Sequence, residues 1–414
     1  MIRPSVVIVE PSSSGLDLIA AVTRAGYQAL VFSHNAADRI VPAEVLARWG
    51  AELVVLDTND PAAVLQGARD LPAQWQVLGI LPGFEFYVPA AAQLAAHLGL
   101  PGLDPAVCQR VRDKALMRQA LAGAGITGPK FRLVSTAAEL DEAAAEVGYP
   151  LVIKPTRSAG SVHVSLASCL SELRSAYSAI AFDPTLDLGI RLGADVLVEE
   201  FIPGPEFSVE GFVQDGRVVV VSITEKLVSE PPHFVELGHT VPAAIEPACE
   251  RLIAGWTADV ARALGIDDTV FHLELRLRNG VPHVIELGAR LPGDSIGSLI
   301  EMSKGVNLSD IFVQLATGQR VDDPAVGATG SASCVAAIRF FYEPGLDVVT
   351  SAPADSDLHT LPNVVNGAVT VSPGDRPNCR ADFRSRLGWV LMTGADRRSV
   401  DRSWKAVKET ARFT

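Results

Sequence analysis

Two glutamates carry the first chemical signal in this chain. Glu274 and Glu286 lie in Phe271–Asp294, FHLELRLRNGVPHVIELGARLPGD, on either side of Asn279-Gly280. Asn-Gly is favoured in two-residue hairpin turns, so the stretch predicts a β-hairpin with one glutamate in each apolar arm. A carboxylate inside a buried strand is costly unless a cation meets it. Two of them set side by side repel, and their natural partner is a hard divalent cation with oxygen ligands. Arg290 follows Glu286 where the second arm gives way to a loop. Metal and guanidinium together are equipment for handling phosphate or carboxylate charge. An internal Glu–Arg ion-pair network is the alternative, and the hairpin alone leaves it open.

Such a hairpin needs a scaffold to bury it. The chain has 414 residues, enough for two or three domains. At 48% hydrophobic and 20% charged it has the composition of a soluble globular protein. A formal net charge of −13 argues against a nucleic-acid footprint or an anionic-membrane binder. The start, MIRPSVVIVEPSSSG, enters a strand-like run directly and lacks the apolar core and cleavage site of a signal peptide. No run of about 18 apolar residues is present to span a bilayer. Cys108, Cys169, Cys249, Cys334 and Cys379 are scattered without C-x-x-C spacing. They predict buried free thiols in a reducing cytoplasm, with neither zinc nor a disulfide framework.

Val6–Val9 is a β-branched run, Ser12–Gly15 a serine-rich turn, Leu16–Ala25 a helical pattern, and Ala29–Phe32 another strand. This βαβ start predicts the α/β class with a parallel, doubly wound sheet. Leu53–Leu56 and Val77–Leu81 read as further strands and Val88–Leu98 as a helix ending at Gly99. The serine turn suits a phosphate at a helix N-terminus. It is neither G-x-G-x-x-G nor a Walker loop, so a domain that closes over a ligand is preferred to a dinucleotide site.

A second unit begins near Pro105. Val107–Ala122 predicts one helix bearing Arg110, Arg112, Asp113, Lys114 and Arg118. Lys130–Val134 and Leu151–Lys154 read as strands, with a helix over Ala137–Val147 between them. A small-residue loop, 156–161, then separates Lys154 from the alternating run Val162–Leu166. Strand, loop and strand make a hairpin flap whose backbone N–H groups can fold onto phosphate. Lys154 suits an ordinary exposed strand end equally well. Ser171–Ile180 reads as a helix, Val196–Phe201 as a strand entering Pro203-Gly204-Pro205, and Phe207–Val213 with Val218–Thr224 as a hairpin about Asp215-Gly216. Beyond the main hairpin, helices are expected at Ser295–Met302 and Leu308–Thr317 and a linker over Gln319–Gly330. Short strands at Val335–Tyr342, Val369–Val371 and Gly388–Leu391 and a helix over Val400–Ala411 complete the reading.

Lys114, the strand-end Lys154 with its loop, the run EEFIPGPE from Glu199 to Glu206, Lys226, Glu274 and Glu286 occur in that order. The ordered set resembles the ATP-grasp superfamily of carboxylate–amine ligases. The resemblance covers most of the chain. It implies a Rossmann-like domain over 1–104, an ATP-grasp subdomain with the flap over 105–195, a second with the metal site over 196–320, and a closing subdomain over 321–414. It also implies Lys114 and Lys154 at the ATP phosphates, with Ser158, Gly160 and Ser161 in the flap above them. Glu199 is then expected at the adenine amino group, Glu200, Phe201 and Ile202 as backbone contacts, and Glu206 at the ribose hydroxyls. A carboxylate suits these jobs because it only accepts hydrogen bonds. Lys226 becomes a phosphate contact with a catalytic role, while Glu274 and Glu286 hold Mg2+, with Mn2+ as a substitute. Many members carry Glu-x-Asn at this place. Here Gly288 stands in the Asn position and leaves a second metal one ligand short.

Within the superfamily, Glu225–Pro242 and the run ELGARLPGD look closest to the L-amino acid ligases and dapdiamide-synthase-like enzymes. That likeness implies Arg290 at the acyl phosphate and carboxylate, where a guanidinium fork pairs oxygens bidentately. It places Glu236, His239, Gly293 and Asp294 at the amino-acid site. Glu236 and His239 also suit a surface loop, and Asp294 a helix cap. The expected reaction activates a carboxylate as an acyl phosphate, releasing ADP, and then joins it to an amine. Small carboxylates and amines, amino acids among them, are the partners implied; nucleic acid and membrane are not, and family habit implies a homodimer. Another ATP-grasp reaction, such as carboxylation or a purine-pathway ligation, and a non-catalytic nucleotide-binding role stay open. A nicotinamide oxidoreductase lacks its glycine fingerprint.

Overall fold

A computed structural model describes residues 2–34, 41–183, 186–187, 190–191, 195–321, 332–377 and 382–414. The chain is a mixed α/β protein. Arg3–Val9 (β1), Gln28–Ser33 (β2), Glu52–Val55 (β3) and Trp75–Pro82 (β4) form a parallel sheet in the order β3-β2-β1-β4. Val6 to Val9 are fully buried, as a parallel strand covered on both faces requires. Helices Asp17–Arg24 (α1), Ala43–Trp49 (α2), Pro61–Arg69 (α3) and Val88–Leu98 (α4) connect and cover it. Two of these, α2 and α3, are absent from the sequence reading. Helix α2 buries no residue fully, so it shows little periodic signal. Helix α3 does carry a start signal, Asp60 capping Ala62 with Pro61 at the first turn.

The expected long helix over 107–122 is two helices, Pro105–Arg112 (α5) and Lys114–Gly123 (α6). Asp113 breaks it with φ −107° and ψ 112°, and its carboxylate accepts from the N–H groups of Ala115 and Leu116. The break turns the start of α6, and with it Lys114, toward the flap. Phe131–Val134 (β5), Leu151–Pro155 (β6), Ser165–Ala167 (β7) and Val196–Glu200 (β10) form a four-stranded sheet in the order β5-β10-β6-β7. Leu140–Val147 (α7) and Leu170–Ala181 (α8) pack on it, and a two-residue pair, Leu186–Asp187 (β8) with Ile190–Arg191 (β9), precedes β10. The second flap strand is shorter than the run 162–166 suggests. Ser161 and His163 adopt left-handed backbone with φ 59° each, so regular pairing starts only at Ser165.

The largest sheet has eight strands. Glu206–Gln214 (β11), Arg217–Val228 (β12), Glu236–Val241 (β13), Thr269–Arg278 (β14) and Val281–Gly288 (β15) are joined by Val335–Phe341 (β16), Val364–Val369 (β17) and Gly388–Gly394 (β18). Their order is β15-β14-β11-β12-β13-β16-β18-β17, so the strands after residue 334 extend the same sheet that holds the main hairpin. Pro247–Leu264 (α9), missed in the sequence, packs beneath it, and its ends are marked by Glu246-Pro247 and Gly265. Ile296–Lys304 (α10) and Leu308–Ala316 (α11) share one apolar core with β1, β2 and α1. Asp355–His359 (α12) and Arg397–Thr410 (α13) flank the last strands. No helix among the described residues is long and apolar enough to cross a membrane. The expected linker lies outside the described residues from residue 322 to 330, as does Cys379. The other four cysteines are free thiols.

Candidate active site

The expected hairpin forms about Asn279 and Gly280, with φ 53° and 80°. Positive φ at both turn residues fits the type that matches strand twist. Its register places Glu274 directly opposite Glu286, and a bulge follows at Glu274/Leu275. Both carboxylates face a cavity of about 520 Å³, a volume in the range of small-molecule sites. The parallel sheet supplies Ser12–Gly15 and Gly83 at the carboxyl ends of β1 and β4, the flap supplies 158–161, and Phe383 comes from the C-terminal segment.

Most of the residues singled out from the sequence line this one cavity. Lys114, Lys154, Ser158, Gly160, Ser161, Glu199, Glu200, Phe201, Ile202 and Glu206 are there, with Glu236, His239, Glu274, Glu286, Arg290, Gly293 and Asp294. Lys226 is brought close but does not line it. Its buried ammonium sits behind the wall, 2.9 Å from Glu206, 2.8 Å from Glu236 and 3.0 Å from Glu274. Burial opposes that charge, yet the three carboxylates raise the Lys226 ammonium well above its ordinary value. Burial likewise opposes ionised Glu274, and Lys226 with His272 still holds its carboxyl well below the usual range.

The lysines of the first subsheet reach the site from two elements. Lys114 Nζ donates to the Ser158 carbonyl at 2.9 Å and pairs with Glu286 at 2.9 Å, so it ties flap to hairpin. Lys154 at the end of β6 pairs with Glu199 at 2.6 Å, and the other oxygen of Glu199 accepts from Arg118 at 2.5 Å. Burial lowers the Lys154 ammonium, with Arg118 and Lys114 adding to the effect against the pull of Glu199. Gly160 has φ 66°, and a β-carbon there would stand 2.6 Å from Phe383. The flap tip is thus packed directly on the C-terminal segment.

Two cavity residues escaped the sequence reading although their signal was present. In β14, His272, Glu274 and Arg276 alternate with Phe271, Leu273, Leu275 and Leu277, so all three polar side chains share the face of Glu274. His272 hydrogen-bonds Glu210 at 2.9 Å and Glu274 at 3.2 Å. Arg276 bonds Glu206 at 2.8 Å and lies against the rings of Phe201 and Phe234, 5.4 and 5.0 Å from their centroids.

At the other end stands Arg386, which no local pattern marks. It pairs bidentately with Asp294 at 2.8 and 2.9 Å, reaches Glu236 at 3.1 Å, and covers the Phe340 ring. His239 Nε2 lies 3.0 Å from the same Asp294 carboxylate. Burial notwithstanding, Arg386 and His239 drive the Asp294 carboxyl far below its ordinary range. Asp294 therefore does not cap the next helix; Ser295 holds that position and makes no side-chain cap bond. Glu236 and His239 lie on strand β13, not on a surface loop, and His239 is 1% exposed. Glu236, His239 and Asp294 bring ligand atoms within 4.8 Å of one another, and their carboxylates pair with Lys226 and Arg386. Arg290 donates through Nε to Glu85 and through Nη1 to the Leu291 carbonyl.

Residues 147–298 match the family model for the ATP-grasp domain. An uncharacterised protein of Sinorhizobium fredii is 27% identical over 96% of this chain and 80% of its own length. Alanine–anticapsin ligase of Bacillus subtilis is 26% identical over 58% of this chain. The match spans about half the length of that ligase, 54%. Among solved structures, an L-amino acid ligase from Bacillus licheniformis superposes with a TM-score of 0.83 at 22% identity, covering 100% of this chain and 99% of that one. The matched stretch contains the flap, both arms of the hairpin and Arg290, and on these findings the chain carries an ATP-grasp domain over residues 147–298.

Proposed function

We propose that the chain is an ATP-dependent carboxylate–amine ligase that joins an amino acid to a second amino acid or small amine. One observation carries the reading: the register-paired Glu274 and Glu286 share a cavity with Lys114, Lys154 and Arg290. Such a set handles phosphate and carboxylate charge together. The similarity to alanine–anticapsin ligase, named for joining alanine to anticapsin, supports an amino acid as one substrate.

The residues fit a hard cation. Glu274 and Glu286 offer only oxygen, stand opposite each other and keep partly exposed side chains. They would hold Mg2+, and Mn2+ suits the same ligands. The ion would supply charge neutralisation at the phosphate oxygens. The chain's own groups do the rest. Phe201, Phe234 and Ile202 offer an apolar slot for a base, while Glu206 accepts hydrogen bonds at its edge. Lys114 and Lys154 face the phosphates beneath the flap. Arg290 orients the substrate carboxylate, whose oxygen attacks the γ-phosphorus as ADP leaves. An amine nitrogen then attacks the acyl carbon and phosphate departs. The acyl phosphate hydrolyses readily, so the flap packed on Phe383 serves to keep water out.

The test is nucleotide turnover with pooled amino acids and small acids, one omitted at a time. ADP and phosphate released only with both an acid and an amine support ligation; AMP and pyrophosphate overturn the acyl-phosphate route.

A further inference from the structure

Glu85 sits in a short turn after β4, 1% exposed, at a place no sequence motif marks. Two guanidiniums take its two oxygens. Arg112 Nη1 donates to Oε1 at 2.9 Å, and Arg290 Nε donates to Oε2. Arg112 is itself steadied by the Phe86 ring, 5.1 Å from its guanidinium carbon. A buried carboxylate fixed from both sides is a rigid anchor, because swinging away would strand charge in the interior. With Nε bound to Glu85 and Nη1 to Leu291, the planar guanidinium has one orientation, and Nη2 is left for a ligand oxygen.

Gly288 makes room for this arrangement. A β-carbon on residue 288 would stand 2.8 Å from Glu85 Oε2 and 3.5 Å from Arg290 Nε. A side chain at 288 and the Glu85–Arg290 contact therefore exclude each other unless one moves.

We propose that Glu85 is a positioning residue that aims Arg290 at the substrate carboxylate, and that Gly288 is the clearance it requires. The space a side chain at residue 288 would enter is filled by the anchor of the arginine. What Arg290 meets rests on the ligase reading; the clamp itself does not.

The experiment has two arms. In protein labelled with 15N-arginine, the clamp gives a downfield, slowly exchanging Nε–H signal, assigned by its loss in Arg290→Lys. Glu85→Gln should move it upfield and speed its exchange, and Gly288→Asn should do the same. An unchanged signal in both overturns the clamp, whether or not any ligation is found. Where the wild type ligates, Glu85→Gln should raise KM for the acid about tenfold and leave KM for ATP within about twofold. Gly288→Asn should match it, and the double variant should add little. Equal rises in both KM values, or none, overturn the positioning role. A wild type without acid-dependent ADP release sinks the ligase reading, while the resonance still decides the clamp.

Discussion

Lys226 stands 3.0 Å from Glu274 behind the cavity wall, and the same ammonium serves Glu206 and Glu236. One buried cation thus sets the charge of three carboxylates that line the cavity. Lys226→Met should cost about 3–5 kcal/mol, the scale for stranding buried charge. Urea unfolding measures it, and adding Glu236→Gln should recover part of the loss. A loss of activity with unchanged stability would instead make Lys226 a direct ligand contact.

Glu286→Gln keeps shape and removes one of the paired charges. Ligation should fall by about a hundredfold or more, while the melting temperature stays close to wild type. ADP release at saturating ATP reads it; a near wild-type rate defeats the metal assignment.

Acid stability should depend on Glu85. Burial opposes its charge, but Arg290 and Arg112 hold the carboxyl down at about 2, against 4.5 for an ordinary glutamate. A depressed carboxyl contributes stability that is present above pH 4.5 and lost as pH falls toward 2. The full contribution is of the order of 3 kcal/mol. Glu85→Gln should therefore flatten the decline in unfolding free energy across that window. A decline as steep as the wild type's counts against the ion pairs.

Arg386→Ala leaves half-buried Asp294 beside His239 without its fork. KM for an amino-acid substrate should rise at least about tenfold while KM for ATP holds, since the residues Arg386 bonds, Asp294 and Glu236, are those proposed for the amino-acid site. Steady-state kinetics with each substrate varied separates the two; parallel changes would assign Arg386 to general stability.

The glutamate pair was legible because a hairpin is local: Asn279-Gly280 sets the turn and the register follows from it. His272 and Arg276 are equally legible from alternation along β14. The split at Asp113 was readable as a cap inside a helical pattern, and α9 from Pro247 and Gly265. Arg386 and Glu85 are a different matter. They meet Asp294 and Arg290 across 92 and 205 residues, and no spacing rule spans such separations. The same holds for Lys226: the strand expected from the sequence stops at Thr224 while β12 runs on to Val228, and its burial behind three carboxylates has no local signal.

Because β16 hydrogen-bonds β13 along Gly238–Val241, the final third of the eight-stranded sheet is structural continuation, with no seam at which it could detach. A chain cut short before Val335 would convert β13 into a naked border with unpaired N–H and C=O groups. Such a fragment would tend to stick to other chains through that border. It would also forfeit Arg386, the partner of Asp294, and Phe383, the ring on which the flap tip packs, so truncation opens the cavity as well as the sheet.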